Sequence, residues 1–244
     1  MVLNLEMKVD ELTLPVNYNH ILQAVILKWI NDENYKNFLH DKGFTCRDRV
    51  FKLFTFSRIY GEKKFFNSQN NTLTFYEKIK LKIAGLDDYF LENIVKTYFF
   101  EDYFEISNKK IYLDSIKGEK IENKKNKIIV KTLSPVTIYS TVEIHDKKKT
   151  YYYHPSEVEF SVLLKNNLIK KYESFYGKKI ENAEFKVLKH KNLKQSVVRY
   201  KNFIIKGWNG IFELQGSPEL LNIALNAGLG GKNSQGFGFV QEAV

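Results

Sequence analysis

The stretch GLGGKNSQGFG, Gly228 to Gly238, decides how this chain is read. Glycine, a hydrophobe and glycine occur twice, as Gly228-Leu229-Gly230 and Gly236-Phe237-Gly238. Between them lies a polar spacer of Gly231, Lys232, Asn233, Ser234 and Gln235. Glycine lets backbone come close to other atoms and adopt positive φ. Successive N–H groups in such a loop predict a concavity for anions, to which Lys232 adds a positive charge. Upstream, Ser217 as N-cap, Pro218 in the first turn and the run Leu220, Leu221, Ile223, Ala224, Leu225 predict a helix that Gly228 ends. Downstream, Phe237, Phe239 and Val240 alternate as in a strand. The order helix, loop, strand excludes the dinucleotide fingerprint and the P-loop, which lie between a strand and a helix N-terminus. Asn233 also stands where a P-loop has its magnesium-binding Ser or Thr. The spacer is longer than a plain helix-to-strand turn requires.

The chain has 244 residues, enough for one large domain or two small ones. Its formal net charge of +10 permits polyanion partners through phosphate neutralisation. A composition rich in Lys, Asn, Ile, Tyr and Phe also suits an AT-rich genome, so the charge alone does not prove nucleic-acid binding. No apolar run reaches membrane-spanning length, and MVLNLEMKVDEL reads as a strand containing acids, not as a signal peptide. The single cysteine, Cys46, excludes an intramolecular disulfide and suits a reducing cytoplasm.

Upstream of the loop, the sequence divides into two halves with the same order of elements. In the first, a strand over about residues 2–11 precedes Asn19, read as the cap of a helix with Ile21, Leu22, Val25, Ile26, Trp29 and Ile30 at helical spacing. A short helix follows, with Asp32 as cap, Phe38 and Leu39 inward and Gly43 as stop. Phe51–Ile59 and Thr72–Ile83 read as a strand pair, 86–98 as helix, 104–116 as strand. The charged stretch 116–127 sets the boundary, giving domains 1–121 and 122–244. In the second half, strand 128–140 leads to a helix opened by Pro155, with Ser156 and Glu159 at capping-box spacing. Val158, Val162, Leu164, Leu168, Tyr172 and Phe175 form its expected buried face. Strands 184–190 and 196–214 precede the Ser217 helix and the loop. Each half is thus strand–helix–strand–strand–helix–strand, and the fold class expected is α+β, two tandem ferredoxin-like (RRM-like) domains with antiparallel sheets. Two such domains side by side make a cleft of the kind RNA-binding proteins use.

The closing glycine pattern at the end of a second ferredoxin-like half resembles the RAMP superfamily of CRISPR-associated proteins. YNHILQAVILKWI (18–30), FLHDKGF (38–44), FKLFTFS (51–57) and TLSPVTIYS (132–140) resemble its repeat-processing endoribonucleases, the Cas-six family. The resemblance implies metal-independent cutting of precursor CRISPR RNA within each repeat. The 2′-hydroxyl attacks in line, leaving a 2′,3′-cyclic phosphate (or its opened 3′-phosphate) and a 5′-hydroxyl. It implies no cofactor and no membrane partner; CRISPR repeat RNA is the partner, and effector-complex subunits or a second copy of the chain remain open. His40 matches the family's histidine and Lys52 its lysine. Leu27 stands where some members carry a tyrosine.

The residues themselves fit that chemistry. RNA supplies its own nucleophile, so the protein needs to move protons and steady charge. Of the five histidines, His20, His40, His145, His154 and His190, no two stand at i and i+4, and no Cys–His cluster predicts a metal site. His40, in the last turn of its expected helix, is favoured there as imidazolium by the dipole. It serves equally as acid or base, or simply as a stabilising helix-end residue. Lys52 is expected on a strand, pointing opposite to Phe51 and Leu53, able to offset phosphorane charge or to remain solvated. Arg47 and Arg49 compete with it, since guanidinium matches phosphate. The expected RNA-binding set is therefore Arg47, Arg49, Gly228, Gly230, Gly231, Lys232, Asn233, Ser234, Gly236 and Gly238. His20 reads as packing or capping the first helix. His145 and His154 flank a basic and aromatic stretch, Lys147–Lys149 and Tyr151–Tyr153, that suits either base stacking or an exposed hairpin tip. Trp29 reads as core, and Trp208 is open. Two other functions compete with the endoribonuclease: a catalytically silent RAMP subunit holding guide RNA, and a general single-strand RNA binder.

Overall fold

In the computed structural model, which describes residues 1–144, 147–181 and 183–243, the N-terminal alternation becomes strand β1 (Val2–Pro15). Leu3, Leu5, Met7 and Val9 point inward; a bulge between Val9 and Glu11 then shifts the phase, so that Leu12 and Leu14 are buried as well. A one-residue slip would have turned those two leucines to solvent, and the bulge prevents it. The chain continues through α1 (Asn19–Lys28), α2 (Glu33–Asn37) and one π-helical turn, Phe38–Lys42. Next come β2 (Phe44–Cys46), β3 (Arg49–Phe51), β4 (Phe54–Phe56), β5 (Tyr60–Asn67) and β6 (Thr72–Gly85). Then α3 (Asp88–Phe100), β7 (Phe104–Ile106) and β8 (Lys109–Glu119) complete the first half. Its sheet runs β4-β6-β1-β8-β7 with β5 also on β6, every pair antiparallel. Leu22 and Ile26 of α1 and Leu91 and Ile94 of α3 share one core with the inward face of β1.

The second half comprises β9 (Lys127–Thr132), β10 (Tyr139–Ile144), β11 (Lys147–Tyr152) and α4 (Val158–Tyr176). It continues with β12 (Phe185–Tyr200), β13 (Phe203–Gly216), α5 (Pro218–Ala227), a 3-10 turn at Asn233–Gln235 and β14 (Val240–Glu242). Its sheet order is β12-β13-β9-β14, again antiparallel. Both sheets therefore place their second, third, first and fourth strands side by side, the order of a split βαβ domain. The fold is α+β with two ferredoxin-like halves, as the sequence predicts. No helix among the described residues is long and apolar enough to cross a membrane.

Local expectations fail where packing overrides pattern. Helix α4 begins after Glu157, and its buried face is Phe160, Leu164, Leu168 and Tyr172; Val158 and Val162 are 78% and 50% exposed. Ser156 closes no capping box: its hydroxyl meets His190 Nε2 at 3.2 Å, and the preceding turn is held by the Glu157 carboxylate, which accepts from His154 N and Tyr151 Oη. Strands 184–190 and 196–214 are one long hairpin, β12–β13, turning at Lys201 and Asn202 with bulges along β12. Strand 128–140 is broken after Thr132. Residues 133–138 leave the sheet to run between Trp208 and Gly230. Strand β5 was not anticipated, and Lys52 lies between strands, followed by Leu53 at φ 50°.

The corrected α4 face gives a stability test. Phe160→Ala should lower unfolding free energy by about 3–5 kcal/mol in urea titration. Val162→Ala should change it by no more than about 0.5 kcal/mol. Equal effects would mean that the helix is rotated relative to this packing.

Candidate active site in the interlobe cleft

The β2–β3 hairpin explains why two segments ten residues apart become neighbours. Phe44 pairs with Phe51 and Cys46 with Arg49, so the chain turns at Arg47, in a left-handed conformation, and Asp48. One step beyond Phe44, Gly43 at φ 61° lies so close to β3 that a Cβ would meet Phe51 O at 2.7 Å. This contact lays the π-helical turn carrying His40 and Asp41 against the start of the Lys52 segment. His40 Nδ1 is 2.6 Å from Asp41 Oδ1, and the ring is 74% exposed. Lys52 is half-buried; burial pushes its ammonium pKa down, and the negative charge of Asp41 partly restores it. Asp41 thus bears on both predicted catalytic side chains. The hairpin is in turn docked on the second half: Phe44 packs on Phe175, and Cys46 Sγ lies 3.3 Å from Glu173 Oε2 of α4.

The glycine-rich loop is built against the first half. Gly228, Gly230, Gly236 and Gly238 all adopt positive φ and are buried. Gly236 shows why: a Cβ there would sit 2.5 Å from the Phe56 ring and 2.7 Å from Asn19 Nδ2. Contrary to the sequence reading, Asn19 does not cap α1. It is buried within the first turn and donates to Gln235 O (2.9 Å) and Gly236 O (3.2 Å), while its own oxygen accepts from Arg58. Thr55 Oγ1 donates to Phe237 O at 2.9 Å. The expected row of free N–H groups is partly occupied. Those of Leu229, Gly231, Gln235, Gly236 and Gly238 donate to protein carbonyls. The loop is a structural seam with one open stretch, Gly231 to Gln235.

That open stretch forms one wall of a cleft of about 730 Å³ between the halves. Residues 49–54, including Arg49 and Lys52, form the wall opposite; Tyr139–Thr141 of β10 and Asn166, Asn167 and Lys170 of α4 complete it. Arg49, Lys52, Lys170 and Lys232 give it four cationic side chains, with Lys171 buried in its wall, and no Asp or Glu is among the described residues lining it. Lys232 rests over the Tyr139 ring at 4.9 Å. Of the predicted RNA-binding residues, Arg49, Gly231, Lys232, Asn233 and Ser234 meet here. Gly228, Gly230, Gly236 and Gly238 shape the wall from within, and Arg47 stands exposed at the hairpin tip. His40 lies outside the lining, on the Asp41 side of Lys52.

Lys171 is the residue that sequence reading missed most completely. It lies on the inward face of α4, 1% exposed, among positions whose spacing signals apolar side chains. Its ammonium donates to Gly228 O (2.7 Å) and Gly230 O (2.9 Å), where α5 ends. Burial pushes its pKa down to about 7. The remaining histidines play other parts. His20 Nδ1 lies 3.2 Å from Asn17 O, and the ring packs on Tyr200. His154 packs on Trp208 with ring centres 4.3 Å apart, while Trp208 Nε1 donates to Tyr153 O. His145 lies outside the described residues. Trp29 is core, against Tyr98 and Phe104.

Two ferredoxin-like halves welded by a glycine-rich loop around a basic cleft form a fold shared with solved structures. A structure described as a RAMP protein binding different RNA substrates superposes with a TM-score of 0.83 over 100% of both chains, at 21% identity. Residues 13–117 match the family model described as CRISPR-associated protein Cas6, N-terminal, and residues 116–242 the one described as CRISPR associated protein Cas6, C-terminal. The CRISPR-associated endoribonuclease Cas6 1 of Methanocaldococcus jannaschii is 33% identical, covering 98% of this chain and 92% of that protein. A solved structure of a CRISPR associated protein Cas6 is 30% identical with a TM-score of 0.79, covering 100% of this chain and 99% of that one. The chain belongs to the Cas6 family of CRISPR-associated endoribonucleases.

The buried lysine gives a stability signature of definite sign. Its pKa falls from the ordinary 10.5 when unfolded to about 7 when folded. Between those values the unfolded chain binds more protons, so stability rises with pH, by up to about 1.4 kcal/mol per unit. Urea denaturation should show wild type gaining stability between about pH 7 and 9 by clearly more than Lys171→Met. Parallel profiles would mean that the ammonium titrates normally.

Proposed function

We propose that this chain cuts precursor CRISPR RNA within its repeats, with the interlobe cleft holding the strand and His40 and Lys52 acting at the scissile phosphate. The observation that carries this reading is the cleft: four basic side chains, Arg49, Lys52, Lys170 and Lys232, without an opposing carboxylate, reaching from the glycine-rich loop to Lys52. The 2′-oxygen attacks phosphorus in line and the P–O5′ bond breaks. One proton leaves the 2′-hydroxyl and one reaches the departing 5′-oxygen, giving a 2′,3′-cyclic phosphate and a 5′-hydroxyl. Asp41 at Nδ1 orients the His40 ring and leaves Nε2 to exchange a proton with substrate, as acid or base. The Lys52 ammonium offsets charge on the pentacoordinate phosphorus, with a force that its partial burial strengthens. RNA provides the nucleophile, so no metal enters these steps. Arg49 and Lys232 hold flanking phosphates from opposite walls, and Arg47 extends the basic edge. A reducing cytoplasm, association with effector subunits or a second copy of the chain, and a division into units 1–121 and 122–244 belong to the same reading.

One observation favours a second reading, a silent RAMP subunit that holds guide RNA: the His40 ring stands off the cleft lining. The two readings part in one assay. With synthetic repeat RNA in EDTA, wild type should yield 5′-hydroxyl product, His40→Ala should lose about 10²–10⁴-fold in rate, and Lys52→Ala should lose less. RNA carrying a 2′-deoxy sugar before the cut should bind and stay whole. Tight binding without product in wild type would select the silent subunit, and undiminished cutting by His40→Ala would remove that ring from the site.

A further inference from the structure

The proposed chemistry uses the surface of the cleft and leaves the ammonium within its wall unassigned. Lys171 crosses from α4 to the carbonyls of Gly228 and Gly230, at the negative end of the α5 dipole. The residues that follow, Gly231 to Gln235, are those that face the cleft. Any displacement of the Gly228–Gly230 backbone therefore carries Lys232, Asn233 and Ser234 with it.

The charges around this lysine are the second observation. Lys170 stands beside it on α4, Arg49 and Lys52 lie on the opposite wall, and Lys232 and Tyr139 come from the loop and β10. Alongside, α5 contributes Ala227 to the lining. Glu173, the nearest carboxylate on α4 in sequence, lies against Cys46. Lys171 forms no ion pair within 4 Å among the described residues, although it is fully buried. A buried cation without a counter-ion gives up its proton unless an anion approaches. The neutral amine retains two N–H donors, one for each carbonyl, so the tether can persist while the charge changes.

We propose that Lys171 is a positioning residue for RNA at the glycine-rich loop, and that a phosphate of the bound strand supplies its missing counter-ion, so that binding takes up a proton. This rests on the reading of the cleft as the path of the RNA. The sign follows from the free protein, where burial holds the pKa at about 7. A bound phosphate raises it, so the complex carries more protons than its parts at about pH 7 to 9. Affinity therefore falls as pH rises through that interval.

The test is fluorescence anisotropy with 5′-fluorescein repeat RNA at constant ionic strength, in a His40→Ala background in which the RNA stays intact and that ring is absent. Affinity should drop about tenfold between about pH 7 and 9. Added Lys171→Arg, which does not titrate, should bind with a flat profile; added Lys171→Met should bind weakly and equally flat. Calorimetry near pH 8 in two buffers of different ionisation enthalpy reads proton uptake without any change at Lys171. Absence of uptake, or the same pH slope in Lys171→Arg as in its parent, overturns the proposal. The underlying readings fail differently. RNA cut by His40→Ala removes that ring from catalysis, and unchanged affinity in Arg49→Ala and Lys232→Ala shows the strand running elsewhere, which overturns the role of Lys171 as well.

Discussion

The contact on which this molecule turns is the one between Asn19 and the carbonyls of Gln235 and Gly236. An amide buried in the first helix of one half satisfies backbone in the final loop of the other, and Arg58 completes the set by donating to Asn19 Oδ1 and to Val16 O. The Arg58 guanidinium lies over the Tyr18 ring at 4.4 Å, so packing also covers one face of the network. A half-satisfied network of this kind would be costly in a dry interior, whereas a complete one fixes a single geometry. The two lobes accordingly meet in one arrangement, and the width of the groove between them is set by hydrogen bonds as well as by apolar surface.

That constraint also explains the glycines. A loop rich in glycine beside basic residues suggests backbone amides offered to phosphate. Here five of the eleven amides are already committed, and the missing side chains make room for protein: Phe56 and Asn19 at Gly236, backbone at Gly230. The part of the loop that faces the groove is the short arc between the glycine pairs, with side chains across from it. The arc projects because its two ends are sewn down.

Much of the architecture was legible because it is written in periodicity. The inward alternation of β1, the apolar spacing of α1 and α5, and the proline–glycine bracket around α5 each correspond to a strong local preference. The errors arise where a side chain serves a distant partner. Val158 and Val162 are apolar yet solvent-facing, while Lys171 is charged yet internal; hydropathy assigns all three to the wrong side. Asn19 looks like a cap because asparagine favours that position, but the carbonyls it donates to are over two hundred residues away in sequence. Lys52 and His40 could be named as candidates, yet nothing in the sequence showed Asp41 between them. That placement depends on the register of a three-residue strand pair, and short pairs carry too few residues to declare a phase.

The sequence separation of the weld has a consequence for biogenesis. At a synthesis rate of about 5–20 residues per second, Asn19 leaves the ribosome roughly 10–45 seconds before the loop that it will hold. For that interval Asn19, joined by Phe56 and Arg58 as they are made, lacks the loop that finally encloses it. The leading lobe must wait in water with its docking face uncovered, which makes it the natural client of whatever machinery shields nascent chains.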